Sequence, residues 1–271
     1  MSETGLNKPD GLLIDLDGTL YHGSRRIEGA DEWIASLYAA KLPFLFVTNN
    51  SSATPQTVAQ RLEKMGIPAS PEQICTSAQA AAAYIANLQP GASVYVIGEE
   101  GLRSSAADSG LQLTQEQADF VLQGIDRDFN YKKLEHAVRL IHGGARYILT
   151  NPDLLLPTED GLSPGAGSLA AMLRAAGRVE PTVIGKPSSV LVNFALDRLG
   201  LTAERTWMIG DNMATDIAAG KAAGCGTALV LTGITTKDNM QEHIQIAGVE
   251  ADQVFEDLRQ LHSYISHLIR T

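Results

Sequence analysis

Short apolar runs along the chain end abruptly in polar residues. Leu12-Leu13-Ile14 stops at Asp15, Phe44-Leu45-Phe46-Val47 stops at Thr48-Asn49-Asn50, and Thr206-Trp207-Met208-Ile209 stops at Gly210-Asp211-Asn212. Runs this brief and continuous predict strands of a parallel sheet covered on both faces. Helical spacing lies between them, in Trp33, Ile34 and Leu37 after the first run and in Val58, Leu62 and Met65 before Gly66. Pro55 suits an early helical position, with Thr54 as its cap. Further strands are expected at Ser93–Ile97, Phe120–Gly124, Arg146–Thr150, Thr182–Ile184 and Ala228–Thr232. Near the end, Leu258, Leu261, Ile265, Leu268 and Ile269 fall on one face of a helix.

Strand and helix patterns that alternate in this way imply parallel βαβ units and an α/β fold. In such sheets ligands sit beyond the carboxyl ends of the strands, so the polar residues that end the three clearest runs are expected to meet on one rim. The middle of the chain, residues 80–180, has strand and helix signals of its own and reads as a separate unit, which leaves 1–79 and 181–271 as the other. No Gly/Ser or Pro-rich linker marks the crossings. The Ala-rich stretch Ala78–Ala83 and the corner Val179-Glu180-Pro181 are the best places for them.

Composition narrows the function without choosing it. The 271 residues are 44% hydrophobic and 19% charged, enough for a sizeable buried core. A formal net charge of −10 speaks against a nucleic-acid surface, which needs clustered Lys and Arg. It leaves room for a small anionic ligand in a locally positive pocket. Cys75 and Cys225 are far apart and lack metal-type spacing, which favours a reducing compartment over a disulfide framework. The opening residues have no signal-peptide layout and no apolar run approaches membrane length, so a soluble cytoplasmic protein is expected.

The strand ends carry the candidate chemistry. In Asp15-Leu16-Asp17-Gly18-Thr19-Leu20 the two acids stand at i and i+2, which places them on one side of an extended chain. Two acids there can hold a hard divalent cation, Mg²⁺ being the usual partner of phosphates, or divide the roles of nucleophile and proton donor. Taken alone, such a stretch is equally a solvated turn, and the apolar run before it tips the balance toward a site. Thr48-Asn49-Asn50 offers a hydroxyl, amides and backbone N–H groups to a phosphate, although turns share that composition. Lys186 supplies a cation between a strand-like run and a helix starting near Pro187. Asp211 would sit at a strand tip, and Asp216 near the first turn of the following helix would either cap it or orient Lys186.

Other patterns lead nowhere. Gly165-Ala166-Gly167-Ser168-Leu169-Ala170 fits a dinucleotide fingerprint, but Ser163-Pro164 precedes it instead of an apolar strand. Gly185-Lys186 lacks the other residues of a phosphate-binding P-loop. The histidines show no metal-ligand spacing, with His22 at most bordering the first motif, and both cysteines read as small core residues.

In this order, D-x-D-G-T at Asp15–Thr19, a strand-end Thr48, Lys186 and G-D-x-x-x-x-D at Gly210–Asp216 resemble the haloacid dehalogenase superfamily. Thr48-Asn49-Asn50, Thr150-Asn151-Pro152-Asp153, Pro164-Gly165-Ala166-Gly167 and Gly185-Lys186-Pro187 are similar to its NagD-like, p-nitrophenylphosphatase branch. The resemblance spans nearly the whole chain. It implies a Rossmann-like parallel-sheet core with an inserted α/β cap that sets substrate specificity, and a phosphatase of small phosphomonoesters. By the same resemblance Asp15 attacks phosphorus, and Asp17 protonates the leaving oxygen and then activates water. Mg²⁺ is held by Asp15, the carbonyl of Asp17 and Asp211, while Thr48, Asn49 and Lys186 grip the phosphoryl group. Asn212, Met213, Ala214 and Thr215 border the site, and Asp216 stands behind it.

Rival readings on the same scaffold separate by residue. A dehalogenase needs neither Asp17 nor Asp211, a phosphonatase needs a cap lysine such as Lys132 or Lys133, and a phosphomutase returns the phosphoryl group to substrate. A non-catalytic binding protein is the reading from another class. Substrates within reach are sugar or acid-sugar phosphates, nucleotides and phosphoglycolate, with Asn151 and Asp153 as candidate contacts. No nucleic-acid or membrane partner is expected, and a homo-oligomer is compatible with the sequence.

Overall fold

The computed structural model describes residues 8–158 and 161–270. The chain divides into two compact units: residues up to Thr48, Ala59–Cys75 and residues from Lys186 onward form the first, and Asn49–Val58 with Thr76–Gly185 form the second. The crossings thus differ from the boundaries at 79/80 and 180/181 that the sequence suggests. Two of them fall inside strand-end motifs, at Thr48-Asn49 and Gly185-Lys186. The Ala-rich stretch is no linker but part of the helix Ser77–Leu88, where Ala78, Ala80, Ala81 and Ala82 are buried. Alanine is the best helix former and the smallest side chain that still packs, so it marks close approach here rather than flexibility.

The first unit is built on a six-stranded sheet in the order Gln253–Phe255, Gly226–Val230, Thr206–Gly210, Gly11–Ile14, Phe44–Thr48, Ile74–Thr76. The strand Gly11–Ile14 lies in the middle, parallel to Thr206–Gly210 on one side and to Phe44–Thr48 on the other. Leu12, Leu13 and Ile14 are fully buried, as are Phe46 and Val47, because helices cover both faces of the sheet. Each such side chain contributes about 1.5–3 kcal/mol of transfer free energy. The helix Ala30–Ala40 buries Trp33, Ile34 and Leu37 and packs with the final helix Leu258–Arg270, which buries Leu258, Leu261 and Ile265. The helix Ser189–Leu199 lies on the strands Gly11–Ile14 and Phe44–Thr48. It is capped by the Ser188 hydroxyl, which accepts the Val190 N–H at 3.3 Å.

The second unit has its own sheet in the order Thr182–Val183, Arg146–Leu149, Phe120–Gln123, Ser93–Ile97, Gln112–Leu113, with every pairing parallel. Tyr95, Ile97, Val121, Ala137, Ile141, Tyr147, Leu149 and Leu173 form its core between sheet and helices. The buried amide of Gln123 is satisfied on all sides. It accepts the Tyr147 hydroxyl at 2.6 Å and donates to the carbonyls of Gly124 and Ala166.

Two antiparallel hairpins add to what the apolar pattern predicts: Tyr21–His22 with Arg25–Arg26, and Leu155–Thr158 with Gly161–Pro164. Their strands are too short for hydrophobic alternation to reveal them. The expected strand Ala228–Thr232 runs instead over Gly226–Val230, and Thr232, beyond its end, bonds to the Gly18 carbonyl. Among the described residues no helix is long and apolar enough to cross a membrane.

Candidate active site

Parallel register brings the strand ends of the first unit together. Asp15 follows Ile14 directly, and its N–H donates to the Ile209 carbonyl at 2.8 Å, so the ladder with the neighbouring strand continues for one more residue. That neighbour ends in Gly210 and delivers Asp211 beside Asp15. On the other side the strand Phe44–Thr48 ends in Thr48. Asp15, Asp211 and Thr48 are all buried.

Lys186 occupies the centre of this group. Its ammonium lies 2.5 Å from Asp15 Oδ1, 2.6 Å from Asp216 Oδ1 and 3.2 Å from the Val47 carbonyl. Burial works against the charge, but the carboxylates of Asp15 and Asp216 outweigh it and hold the lysine well above its ordinary pKa. The acids show the reverse. Asp211 is raised by burial and by the nearby charges of Asp216 and Asp15, and Asp216 by burial and Asp15.

Carboxylate oxygens of Asp15, Asp211 and Asp216 lie within 4.8 Å of one another, against the one ammonium of Lys186. A cluster with this excess of negative charge and hard oxygen donors fits a divalent cation of the Mg²⁺ type. Within it, Asp216 is already committed. One oxygen holds Lys186, and the other accepts the Asn212 N–H at 3.1 Å.

Two glycines make the close approach of these acids sterically possible. Gly18 has a left-handed φ of 86°, and a Cβ there would strike the Asp211 carboxylate. A Cβ on Gly233 would strike the same group. Gly233 belongs to a loop that closes over the rim. Thr232 Oγ1 donates to the Gly18 carbonyl at 2.7 Å, Ile234 N–H donates to Asp211 Oδ2 at 2.6 Å, and Thr235 N–H donates to the Asp211 carbonyl at 3.0 Å. Thr19 sits between two acids, with its Oγ1 3.2 Å from Asp15 Oδ2 and 3.3 Å from Asp211 Oδ1. Sequence reasoning gave no role to Thr19 or to this loop. The available signal was a Thr inside the first motif, and an apolar run at 228–231 ending in Thr-Gly.

Asp17 is exposed and forms a β-bridge with Tyr21 at the start of the Tyr21–Arg26 hairpin. Partial burial and the Asp15 charge raise its pKa, while Arg61, His22 and the Gly23 N–H draw it back. A raised carboxyl pKa suits a proton donor.

Not every expected residue reaches the rim. Asn212 caps the turn Met213–Ile217, its Oδ1 accepting the Ala214 N–H at 3.0 Å. Met213 is a correction to the sequence expectation. Its side chain is fully buried against Ile217 and Leu229, and its N–H is taken by Thr235 Oγ1 at 3.0 Å. Ala214 and Thr215 are half-buried. Asn49 belongs to the second unit, where its Nδ2 donates to Asp153 Oδ2 at 3.3 Å. The Asn49 carbonyl there accepts from Ser77 Oγ at 2.7 Å and Asn151 Nδ2 at 2.9 Å. Lys133, a candidate for Schiff-base chemistry, is paired with the buried Asp126 at 2.7 Å, and Lys132 is exposed.

Comparison with known proteins finds relatives along most of the chain. Residues 12–112 match the model of a haloacid dehalogenase-like hydrolase family, and residues 183–261 match a second model of the same kind. The chain is 48% identical to the 5'-nucleotidase YutF of Bacillus subtilis (strain 168), over 87% of this chain and 92% of the relative. It is 40% identical to an acid sugar phosphatase of Staphylococcus aureus (strain USA300), over 92% and 95% of the two chains. Among solved structures, a p-nitrophenyl phosphatase from Archaeoglobus fulgidus superposes with a TM-score of 0.89 at 35% identity, covering 95% of this chain and 99% of the other.

Proposed function

The chain belongs to the haloacid dehalogenase-like hydrolases and is a phosphomonoester hydrolase; we propose that it acts on small sugar or acid-sugar phosphates through an aspartyl-phosphate on Asp15. The observation that carries this reading is the buried cluster of Asp15, Lys186, Asp216 and Asp211, in which Asp15 and Asp211 follow the carboxyl ends of adjacent parallel strands. Phosphoryl transfer asks chiefly for in-line positioning and neutralised charge, and the cluster is suited to both.

In this mechanism an Asp15 oxygen attacks phosphorus while Lys186, held in its charged state, balances the phosphoryl oxygens together with Thr48. Asp17 gives its proton to the departing alkoxide oxygen, and then accepts one from the water that attacks the aspartyl phosphate. Asp15, the Asp17 carbonyl and Asp211 would hold Mg²⁺, which supplies positive charge that masks repulsion between anionic nucleophile and anionic ester. Asp216 keeps Lys186 in place, and the loop at Thr232–Thr235 fixes Asp211.

Selection among substrates is assigned to the second unit as a cap, with Asn49, Asn151 and Asp153 as its polar contacts. The higher identity to YutF favours a second reading, in which the substrate is a nucleoside 5'-monophosphate. Work in the cytoplasm fits both readings. Release of inorganic phosphate, measured as kcat/KM over a panel of sugar phosphates and nucleotides, decides between them. Failure to hydrolyse p-nitrophenyl phosphate in Mg²⁺ would remove the whole reading.

A further inference from the structure

The hairpin that follows Asp17 is tied to the helix Pro55–Lys64 and the residue just beyond it. In its first strand Tyr21 is buried, and the Arg61 guanidinium stacks 4.7 Å from the centre of its ring. The same guanidinium reaches the turn, donating from Nη2 to the Gly23 carbonyl at 2.5 Å. In the second strand Arg26 donates to the Met65 carbonyl at 2.9 Å and pairs with Asp31 at 2.9 Å.

Tyr21 connects this clamp to the site: it forms a β-bridge with Asp17, and its carbonyl accepts the Gly18 N–H at 2.7 Å. Contacts therefore run without a gap from Arg61 through Tyr21 to Asp17. The ordinary explanation of Arg61 is a cation in the last turn of a helix, favoured by the helix dipole. That explanation accounts neither for the ring stacking nor for the bond to the turn, which together use a face and an edge of the guanidinium.

Resting on the phosphatase reading above, we propose that Arg61 is the positioning residue for Asp17. It pins the Tyr21–Arg26 hairpin, whose first residue pairs with Asp17, and so holds the carboxyl on the path of the proton. During the first step the bond from Asp15 to phosphorus forms and the ester P–O bond breaks. The Asp17 proton passes to the departing oxygen. A carboxyl that swings away leaves an alkoxide to depart unprotonated, which is costly for an alkyl ester and nearly harmless for p-nitrophenolate.

The test compares kcat/KM for glycerol phosphate and p-nitrophenyl phosphate in the wild type, Arg61→Ala, Arg61→Lys and Asp17→Asn. Arg61→Ala is expected to lose about 10- to 100-fold on the alkyl ester and less than about 3-fold on the aryl ester. Arg61→Lys keeps the charge without the planar fork and is expected to recover part of the loss. Equal losses on both esters, or no loss on either, would overturn the positioning role. An Asp17→Asn enzyme that shows no leaving-group preference would overturn the acid assignment itself, and the proposal with it, whatever the Arg61 variants do.

Discussion

The two units solve the problem of burying polar groups differently. In the first, Lys186 is held between Asp15 and Asp216, and Asp211 stands beside them with an excess of negative charge. In the second, the buried amides meet uncharged partners: Gln123 donates to two backbone carbonyls and accepts the Tyr147 hydroxyl, and Asn151 donates to the Asn49 carbonyl. Its buried acid Asp126 has a simple pair in Lys133. A buried ion costs several kcal/mol when a partner is lost, whereas an unsatisfied buried amide costs less. The proposed division places the reaction in the unit whose buried charges depend on one another most strongly, and recognition in the other.

The sharpest way to break this comparison is at Asp15. Asp15→Asn is expected to abolish trapping of a phosphoenzyme and lower kcat by at least about 10⁴-fold, measured as phosphate release. Removing the buried cation is next. Lys186→Ala leaves Asp15 and Asp216 without their counter-charge, and chemical denaturation should show a loss of about 3–5 kcal/mol along with most of the activity. Chelation of divalent ions should abolish turnover reversibly. Adding Mg²⁺ at about 100 times its dissociation constant should stabilise the folded state by about 2.7 kcal/mol, seen as a raised Tm, and Asp211→Asn should erase that rise.

Gly233→Ala is expected to weaken Mg²⁺ activation by displacing the Asp211 carboxylate, with the far strand Gln253–Phe255 left intact. The smallest effect belongs to the second unit. Asp153→Ala should shift the ratio of kcat/KM between sugar phosphates and nucleotides by about 10-fold or less, while kcat for p-nitrophenyl phosphate stays within about 3-fold of wild type.

Legibility in the sequence follows the same division. Asp15, Thr48 and Asp211 were readable because each ends an apolar run, and parallel strands put such ends on one rim. Lys186 and Asp216 needed the family resemblance, since a lone lysine and a helix-start aspartate have ordinary explanations. The unit crossings leave a weaker trace, because an alanine-rich stretch suits a connection as well as a tightly packed helix such as Ser77–Leu88. Met213 was misplaced for a related reason. Chain proximity to Asp211 says nothing about direction, and the turn at Met213–Ile217 sends that side chain into the core. The Thr232–Thr235 loop and Arg61 act through backbone groups of distant segments, which leave no periodic trace in the sequence.

Asp15 and Lys186 lie 171 residues apart in the chain, and the strand that flanks Asp15 on the Asp211 side comes later still. During synthesis the first strand therefore leaves the ribosome long before its counter-ion and its neighbour exist. Most of the second unit, Thr76–Gly185, is one continuous stretch and is complete by then. The first unit is thus the last part of the molecule to be completed, and a chain halted before Thr206 would have the second unit whole while the strand Gly11–Ile14 was paired on one edge only, its other edge open to aggregation.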